Sequence, residues 1–246
     1  MRKLYFAFLT LTGIFLLASQ SLLAQEQNLT WDYPLKPGMP EWKNLLSHKA
    51  MVDACQIPVN TLPTLSTDRL VELCLSFPLF FTMGAFNNLQ EGFEQVSTEC
   101  TGFQELFKRP DAGKVLLRLY QSLDPKNVEY LQTPLERGLY KQKIFFLEFI
   151  LSQKIIIDNF TEGEIRMLLS ETLIKLEDKA KFKYSTYGTL TTSFIMCKVL
   201  ENKNYGEFKA LITRNNSYLI FSKTVMLSDL NMIDELKSLV KNYLSV

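Results

Sequence analysis

The sequence predicts an all-α fold, either an irregular orthogonal bundle of many helices or a short stack of antiparallel helix pairs. Apolar residues recur at helical spacing along most of the 246-residue chain, which gives successive segments one apolar face each. Capping residues and prolines stand at the ends of these segments, and short polar turns join them, which favours antiparallel neighbours. The absence of self-similarity at a fixed period argues against a repeat solenoid.

The first 24 residues predict a secretory signal peptide. Arg2 and Lys3 precede an apolar run from Leu4 to Ala18, which is shorter than the roughly 20 residues of a membrane-spanning helix. The small residue Ala24 places cleavage before Gln25. A lipid anchor is not expected, because it needs a cysteine directly after the cleavage point and Gln25 stands there. We expect an exported protein of the periplasm or the cell exterior without stable membrane insertion. An uncleaved membrane anchor is the weaker alternative.

Residues 25–40 predict an extended N-terminal arm. Its prolines fix φ, and each disfavours helical geometry in the residue before it. The last of them, Pro40, suits the first turn of a helix. The apolar spacing that follows predicts a helix from Pro40 to Ala54 with His48 near its C-terminal end, where a partial positive charge would face the helix dipole.

The remaining helices are predicted from apolar faces bounded by capping residues or by breaks. Residues 79–86 are apolar without a period, so we expect a buried connector or a short irregular helix there. Gly102 is expected to break a helix, and Thr161 with Glu164 predicts a capping box. For the strongly apolar run from Pro134 to Asp158 a central buried helix is preferred over two strands, because no hairpin turn signal is present. The apolar faces are Leu70–Phe77, Leu89–Val96, Phe103–Phe107, Val115–Tyr120, Leu139–Ile157, Ile165–Leu176, Leu190–Leu200, Phe208–Ile212 and Leu230–Tyr243.

Residues 41–246 are expected to form a single helical domain, with 41–125 and 126–246 as candidate lobes. The chain has 27 Lys and Arg, and without Arg2 and Lys3 the mature part keeps 25, against 26 Asp and Glu, so its net charge is −1. Nucleic-acid binding is not expected, because it needs a field of clustered basic residues.

The sequence has four cysteines, all in the mature part, which is relevant because exported proteins meet an oxidising compartment. The candidate disulfide is Cys55 with Cys74, since each lies late in a predicted helix and a short connection joins the two helices. The alternative is four buried free thiols, because free cysteine is among the most buried residue types. Cys100 and Cys197 are the other two.

The sequence supplies few groups for catalysis. With His48 as the sole histidine, a Ser-His-Asp triad or a multi-histidine metal site lacks its parts, and the scattered glycines form no phosphate loop. No catalytic residue, metal site or cofactor is predicted. The enzymatic alternative is a hydrolase with two carboxylates, for which Glu91, Glu94 and Glu148 are the acids to test. Glu148 lies in an apolar run, at the polar edge of its helix or buried with Lys143 or Arg137.

The Phe-rich segment from Phe77 to Phe93 is the best candidate binding surface, because aromatic residues in a non-periodic segment can line a groove. Ordinary core packing is the alternative. The leading hypothesis is an exported, non-catalytic helical protein that binds another protein or a small ligand through a groove between its helices, and a plain assembly subunit is a third reading. The candidate binding residues are Phe80, Phe81, Phe86, Asn87 and Glu91.

Several short segments in the first half of the mature chain together resemble a group of exported bacterial proteins. This resemblance implies export and helical content. It brings no assigned activity, substrate or catalytic residue, so no site can be carried over from it. The segments are Tyr33–Gly38 with Trp42, Cys55–Pro58, Leu70–Leu75 with Pro78, and Phe86 and Asn87 with Gly92 and Phe93.

Overall fold

The computed structural model describes residues 31–246 of the chain. This range contains twelve α-helices and four short 3-10 helices and no strand, so the predicted all-α class is confirmed. The predicted signal peptide and the first part of the predicted arm lie outside the described residues.

The helices alternate with short connections along the described chain. The 3-10 helices are Pro40–Asn44, Leu62–Thr64, Phe80–Ala85 and Pro125–Glu129. The α-helices are α1 His48–Ala54, α2 Thr67–Leu75, α3 Leu89–Glu99, α4 Thr101–Leu106, α5 Ala112–Ser122, α6 Pro134–Leu151, α7 Lys154–Ile157, α8 Glu162–Lys181, α9 Thr186–Asn202, α10 Gly206–Arg214, α11 Ser217–Thr224 and α12 Asn231–Ser245.

Helix α9 is the centre of the C-terminal part of the bundle. It packs against α6, α8, α11 and α12, and its residues from Leu190 to Val199 are buried on nearly every side. In the N-terminal part, α2 packs against α4, α5 and α6. One continuous apolar core runs from Tyr33 to Val240, so helix α6 contributes to the packing of both parts.

The N-terminal arm is fastened to this core. Residues 31–39 contain no helix, and the Tyr33 ring is buried with its hydroxyl donating to the Leu73 carbonyl at 3.0 Å. Two expectations nearby were wrong. The predicted helix from Pro40 to Ala54 is divided, because Ser47 is extended and its hydroxyl accepts the Ala50 amide as the cap of a new helix.

His48 therefore begins helix α1 instead of lying near a helix end. Its Nε2 lies 2.9 Å from a carboxylate oxygen of Glu99 on α3. Gly102 does not break a helix either, and it lies inside α4. The break falls two residues earlier, at the extended residue Cys100, because Cys100 donates its amide to Val96 at the end of α3 and starts α4 with its own carbonyl.

The run from Pro134 to Asp158 is helical, as predicted, and contains no strand. It is divided into α6 and the single turn α7. The division falls at Gln153, which is extended and whose side-chain amide donates to the Phe149 carbonyl at 2.8 Å. The side chain thus satisfies a helix-terminal carbonyl that has no further backbone partner in α6.

The two longest helices of the described chain, α6 and α8, begin with known capping motifs, and α8 also ends with one. Thr161 and Glu164 form the predicted capping box at the start of α8, and Thr133 and Glu136 form a second one at the start of α6. Helix α8 ends in a Schellman motif, in which Lys183 is left-handed with φ 53° and the Tyr184 amide donates to the Lys179 carbonyl at 2.9 Å. None of the described helices is long and apolar enough to span a membrane.

Candidate functional site

An open groove of about 830 Å³ separates the connector, residues 79–86, from the C-terminal helices. One wall is the end of the connector with the start of α3, and the other is the start of α9 with the loop between α11 and α12. We call it the apolar groove. Its lining residues are Gly84, Phe86, Asn87, Asn88, Leu89, Thr186, Tyr187, Leu190 and Thr224–Leu230.

The rim of the apolar groove carries large apolar side chains that reach into solvent. Tyr187 is 67% exposed, Leu230 63%, Met226 54% and Phe86 39%. Four such residues from three separate segments of the chain meet at one place. Scattered exposed apolar residues are ordinary on a protein surface, whereas a cluster around a concave surface is typical of a binding site.

The connector wall is held by a small polar network. Asn88 caps α3 by accepting the Glu91 amide at 2.9 Å. The Asn87 side-chain amide donates to both carboxylate oxygens of Glu91, at 3.1 and 3.0 Å. Glu91 therefore fixes the entry to α3 from outside the groove, and Asn87 lines the groove with its side chain already bonded.

Aromatic packing anchors the connector below the groove. The Phe80 ring stacks on Phe146 with centroids 3.7 Å apart, and it meets Phe93 and Phe103 at 5.8 and 5.4 Å. Helix α3 approaches the connector so closely that a Cβ on Gly92 would stand 1.9 Å from the Met83 carbonyl oxygen. Only glycine fits at that contact, so the position of this wall depends on Gly92.

The opposite wall contains a strained residue. Val225 ends α11 in the left-handed region with φ 63°, and its side chain is buried. A β-branched side chain disfavours this conformation strongly, and such strain is concentrated at functional sites. The strained turn directs the chain away from α11 and places Met226 at the rim.

The predicted binding residues divide into three groups. Phe86 and Asn87 line the apolar groove. Phe81 is 66% exposed and Glu91 is exposed, and neither lines the apolar groove. Phe80 is fully buried and belongs to the core, so it cannot touch a ligand in this structure.

Sequence reasoning missed Tyr187, Met226 and Leu230. These residues lie more than 90 positions after the connector, and only the packing of α11 against α3 brings them to the same groove. One signal was available, because Val225, Met226 and Leu227 form an apolar triplet in what the helix pattern makes a connection. Because connections run over the protein surface, an apolar triplet in one of them indicates apolar side chains near solvent or near a partner.

Glu148 is fully buried, and its partner is Lys179, not Lys143 or Arg137. The Lys179 Nζ lies 2.8 and 2.6 Å from the two carboxylate oxygens. The Tyr120 hydroxyl and the Thr192 hydroxyl each donate to Oε1 at 2.8 Å, and Thr191 donates to Oε2. The carboxylate thus joins residues of α5, α6, α8 and α9.

This buried network has the properties of a structural cross-link. Burial lowers the pKa of Lys179, and the attraction of the Glu148 carboxylate opposes that effect. Burial and the neighbouring carboxylate together raise the pKa of Tyr120. Because neither Glu148 nor Tyr120 is exposed, no substrate can reach the carboxylate in this structure.

The other two candidate acids do not face each other across a cleft. Glu91 and Glu94 lie on the same exposed face of α3. Glu91 accepts from Asn87, and Glu94 accepts from the Gln90 side-chain amide at 2.9 Å. A hydrolase needs its two acids on opposite sides of the bond to be broken, and these two share one helix face.

All four cysteines are buried and free in this structure, so the candidate bridge between Cys55 and Cys74 is not formed in it. Burial raises the pKa of Cys55 and of Cys100 to about 11. Within residues 31–246 there is no group of three or more His, Cys, Asp or Glu side chains arranged to hold a metal ion.

Comparisons with protein-family models, with curated proteins and with solved structures find no match to this chain. Its function must therefore be argued from its own residues. The apolar groove is the feature of the described chain with the clearest geometry for binding, because it combines a concave shape with exposed apolar side chains.

Proposed function

We propose that the protein is an exported, non-catalytic binding protein of the cell envelope whose apolar groove takes up an apolar segment of a partner protein. The observation that carries this proposal is the cluster of exposed Tyr187, Met226, Leu230 and Phe86 around one groove. Covering these side chains would remove apolar surface from water, which is the main driving force of most protein association.

The exposed rim favours a protein segment over a small ligand. Pockets for small molecules bury most of the ligand's surface between their walls. Here Tyr187 and Leu230 are more than 60% exposed, so an occupant that covers them must extend beyond the groove itself. Tyrosine and methionine suit such a surface, since tyrosine is enriched at interfaces and methionine adapts its shape to a partner.

The location rests on the N-terminal sequence. The chain begins with Arg2 and Lys3, and an apolar run too short to span a membrane follows them. This pattern is typical of a signal peptide. The proposal that the protein is non-catalytic rests on the surroundings of its histidine and of its buried acid. The sole histidine, His48, is paired with Glu99, and the one acid in an apolar run, Glu148, is enclosed by its partners.

Site-specific photo-crosslinking in the native envelope tests this proposal. A photoreactive amino acid replaces Tyr187 in one variant and Leu46 in another. Leu46 is 93% exposed and does not line the groove, so it controls for random collisions. We expect a discrete adduct with one partner protein from position 187 and none from position 46.

Two results would contradict the proposal. Equal adducts from both positions would mean that the partner does not contact the groove in preference to the rest of the surface. An adduct whose mass equals two copies of this chain would instead make the groove a self-association surface and the protein an assembly subunit.

A further inference from the structure

Three of the four cysteines lie near one another and near Tyr33 of the N-terminal arm, whereas Cys197 is buried in α9. Cys55, Cys74 and Cys100 are each 0% exposed. The Gln56 side chain joins two of their segments, because its amide donates to the Glu99 carbonyl at 2.9 Å and its oxygen accepts the Thr101 amide at 3.0 Å. The chain around Cys55 is thereby held beside the chain around Cys100.

The sulfurs of Cys74 and Cys100 border the same small space. A Cβ placed on Gly102 would stand 3.4 Å from the Cys74 Sγ, 3.5 Å from the Cys100 Sγ and 3.0 Å from the Ile57 Cδ1. Since Gly102 has no Cβ, this point is empty of its side chain, and both sulfurs lie within 3.5 Å of it.

The backbone at Cys100 is also compatible with a disulfide bond to Cys74. Cys74 lies in the last turn of α2, which packs against α4. Cys100 is the extended residue between α3 and α4, with φ −98° and ψ 115°. Because it lies outside both helices, its side chain can reorient with less disturbance than a residue inside a helix.

We infer that Cys74 and Cys100 form a disulfide when the chain folds under oxidising conditions. In the cell this rests on the proposed export, because only an oxidising compartment sustains structural disulfides. As the Sγ–Sγ bond forms, the two thiols lose two protons and two electrons. The oxidant is an oxidoreductase disulfide or glutathione disulfide, which is reduced to two thiols.

The bond forms before the core closes. Burial raises the pKa of Cys74 and of Cys100, so the reactive thiolate is scarce once folding is complete. A chain that folds under reducing conditions therefore keeps both thiols, and a chain that folds under oxidising conditions keeps neither. Cys55 and Cys197 stay reduced in both cases.

Thiol counting on the refolded full chain tests the pairing. The denatured, reduced protein is refolded in a mixture of reduced and oxidised glutathione, quenched with acid, and alkylated in denaturant without reductant. Intact mass is expected to show two labels on the wild type and one on Cys55→Ser. We expect three labels on Cys100→Ser, and a Cys74–Cys100 linked peptide in the wild-type digest.

Four labels on the wild type would overturn the inference. Two labels together with a linked peptide that contains Cys55 would overturn it as well, and this digest does not depend on whether the variants fold. Export is tested apart from pairing on protein isolated from the native cell. Two labels after refolding with four labels on the cell-derived protein would support the pairing and contradict export.

Discussion

At the scale of single residues, the buried pair of Glu148 and Lys179 shows how a charged side chain becomes part of the core. Each charge is surrounded by hydrogen-bonding partners, including Thr192, whose hydroxyl accepts from Lys179 at 2.8 Å and donates to Glu148 at 2.8 Å. Removing both charges from water costs several kcal/mol, which their attraction offsets only with such partners in place. The pair therefore links α6, α8 and α9 through hydrogen bonds in the core.

The first prediction concerns this pair. Lys179→Met leaves Glu148 buried without its counter-charge and should lower the free energy of unfolding by about 3–5 kcal/mol. Urea denaturation measures the change. Lys154→Met is the control, because Lys154 pairs with Asp158 at the surface with 74% of its side chain exposed, and its loss should cost less than about 1 kcal/mol.

A double variant separates lost charge from lost packing. Glu148→Met with Lys179→Met removes both charges and should recover part of the stability that Lys179→Met loses. If the single and double variants are equally unstable, the uncompensated charge is not the cause of the loss.

The second prediction concerns the contact between α3 and the connector. Gly92→Ala should destabilise the protein by about 1–3 kcal/mol or more, because the added methyl group collides with the Met83 carbonyl, which is backbone and cannot turn aside. Gly138→Ala in α6 is the matched control, since its Cβ meets nothing within 4 Å. That change should stabilise the protein by up to about 1 kcal/mol. Thermal unfolding of both variants would show equal shifts if the close contact did not exist.

At the scale of elements, local sequence determined the helix starts that carry a side-chain cap, which are five of the twelve described α-helices. The capping box at Thr161 and Glu164 and the cap at Asn88 were predictable, because each is made by residues three apart or fewer. The break before His48 and the helical place of Gly102 were not predicted. The apolar spacing continues across the boundary at Ser47, and at Cys100 it does not show where the boundary lies. In each case the extended backbone of that one residue determines where the next helix begins.

The third prediction concerns the end of α8. Lys183 holds a left-handed conformation that costs a residue with a Cβ roughly 1–2 kcal/mol. Lys183→Gly should therefore raise the free energy of unfolding by about 0.5–1 kcal/mol, after the extra entropy of glycine in the unfolded chain is deducted. Glu177→Gly, inside α8 and one turn before its end, should lower it by about 1 kcal/mol. Chemical denaturation distinguishes the opposite signs, and a loss at both positions would contradict the Schellman motif.

The fourth prediction concerns acid stability and the capping box of α8. The Thr161 amide, which donates to the Glu164 carboxylate at 2.8 Å, lowers the pKa of Glu164 in the folded protein. A carboxyl group with a lowered folded pKa stabilises the protein above its unfolded pKa, and this contribution is lost as the pH falls through the folded value. Glu164→Gln removes the titration.

The stability difference between the wild type and Glu164→Gln should therefore change with pH in a defined direction. The advantage of the wild type is expected to be full at neutral pH and to shrink below about pH 4.5. Urea unfolding at a series of pH values measures this difference. A difference that stays constant down to strongly acidic pH would mean that the carboxylate does not cap the helix.

At the scale of the whole molecule, the all-α architecture followed from helical spacing, but the site followed only in part. Phe86 and Asn87 were found because a non-periodic aromatic segment is visible in one stretch of sequence. Tyr187, Met226 and Leu230 could not be found in this way, since their proximity depends on long-range packing. Nor could the pairing of Glu148 with Lys179, which lie 31 positions apart on neighbouring helices.

The apolar groove is where this architecture leaves apolar surface uncovered. Helix α9 is so enclosed by its neighbours that its only exposed large apolar side chain is Tyr187, at the groove rim. The loop between α11 and α12 then adds Met226 and Leu230 from the opposite side. The fold thus brings three distant segments together around one concave surface, which is the basis of the proposed binding function.

Quantitative co-purification from the native envelope tests that function most directly. The double variant Tyr187→Asp with Met226→Asp places two charges on the groove rim, and Leu46→Asp with Val59→Asp places two on exposed apolar positions elsewhere. The account predicts that the groove variant recovers its partner protein at least about tenfold less than the wild type, and that the control variant recovers it in full. Equal recovery by the two variants would contradict it.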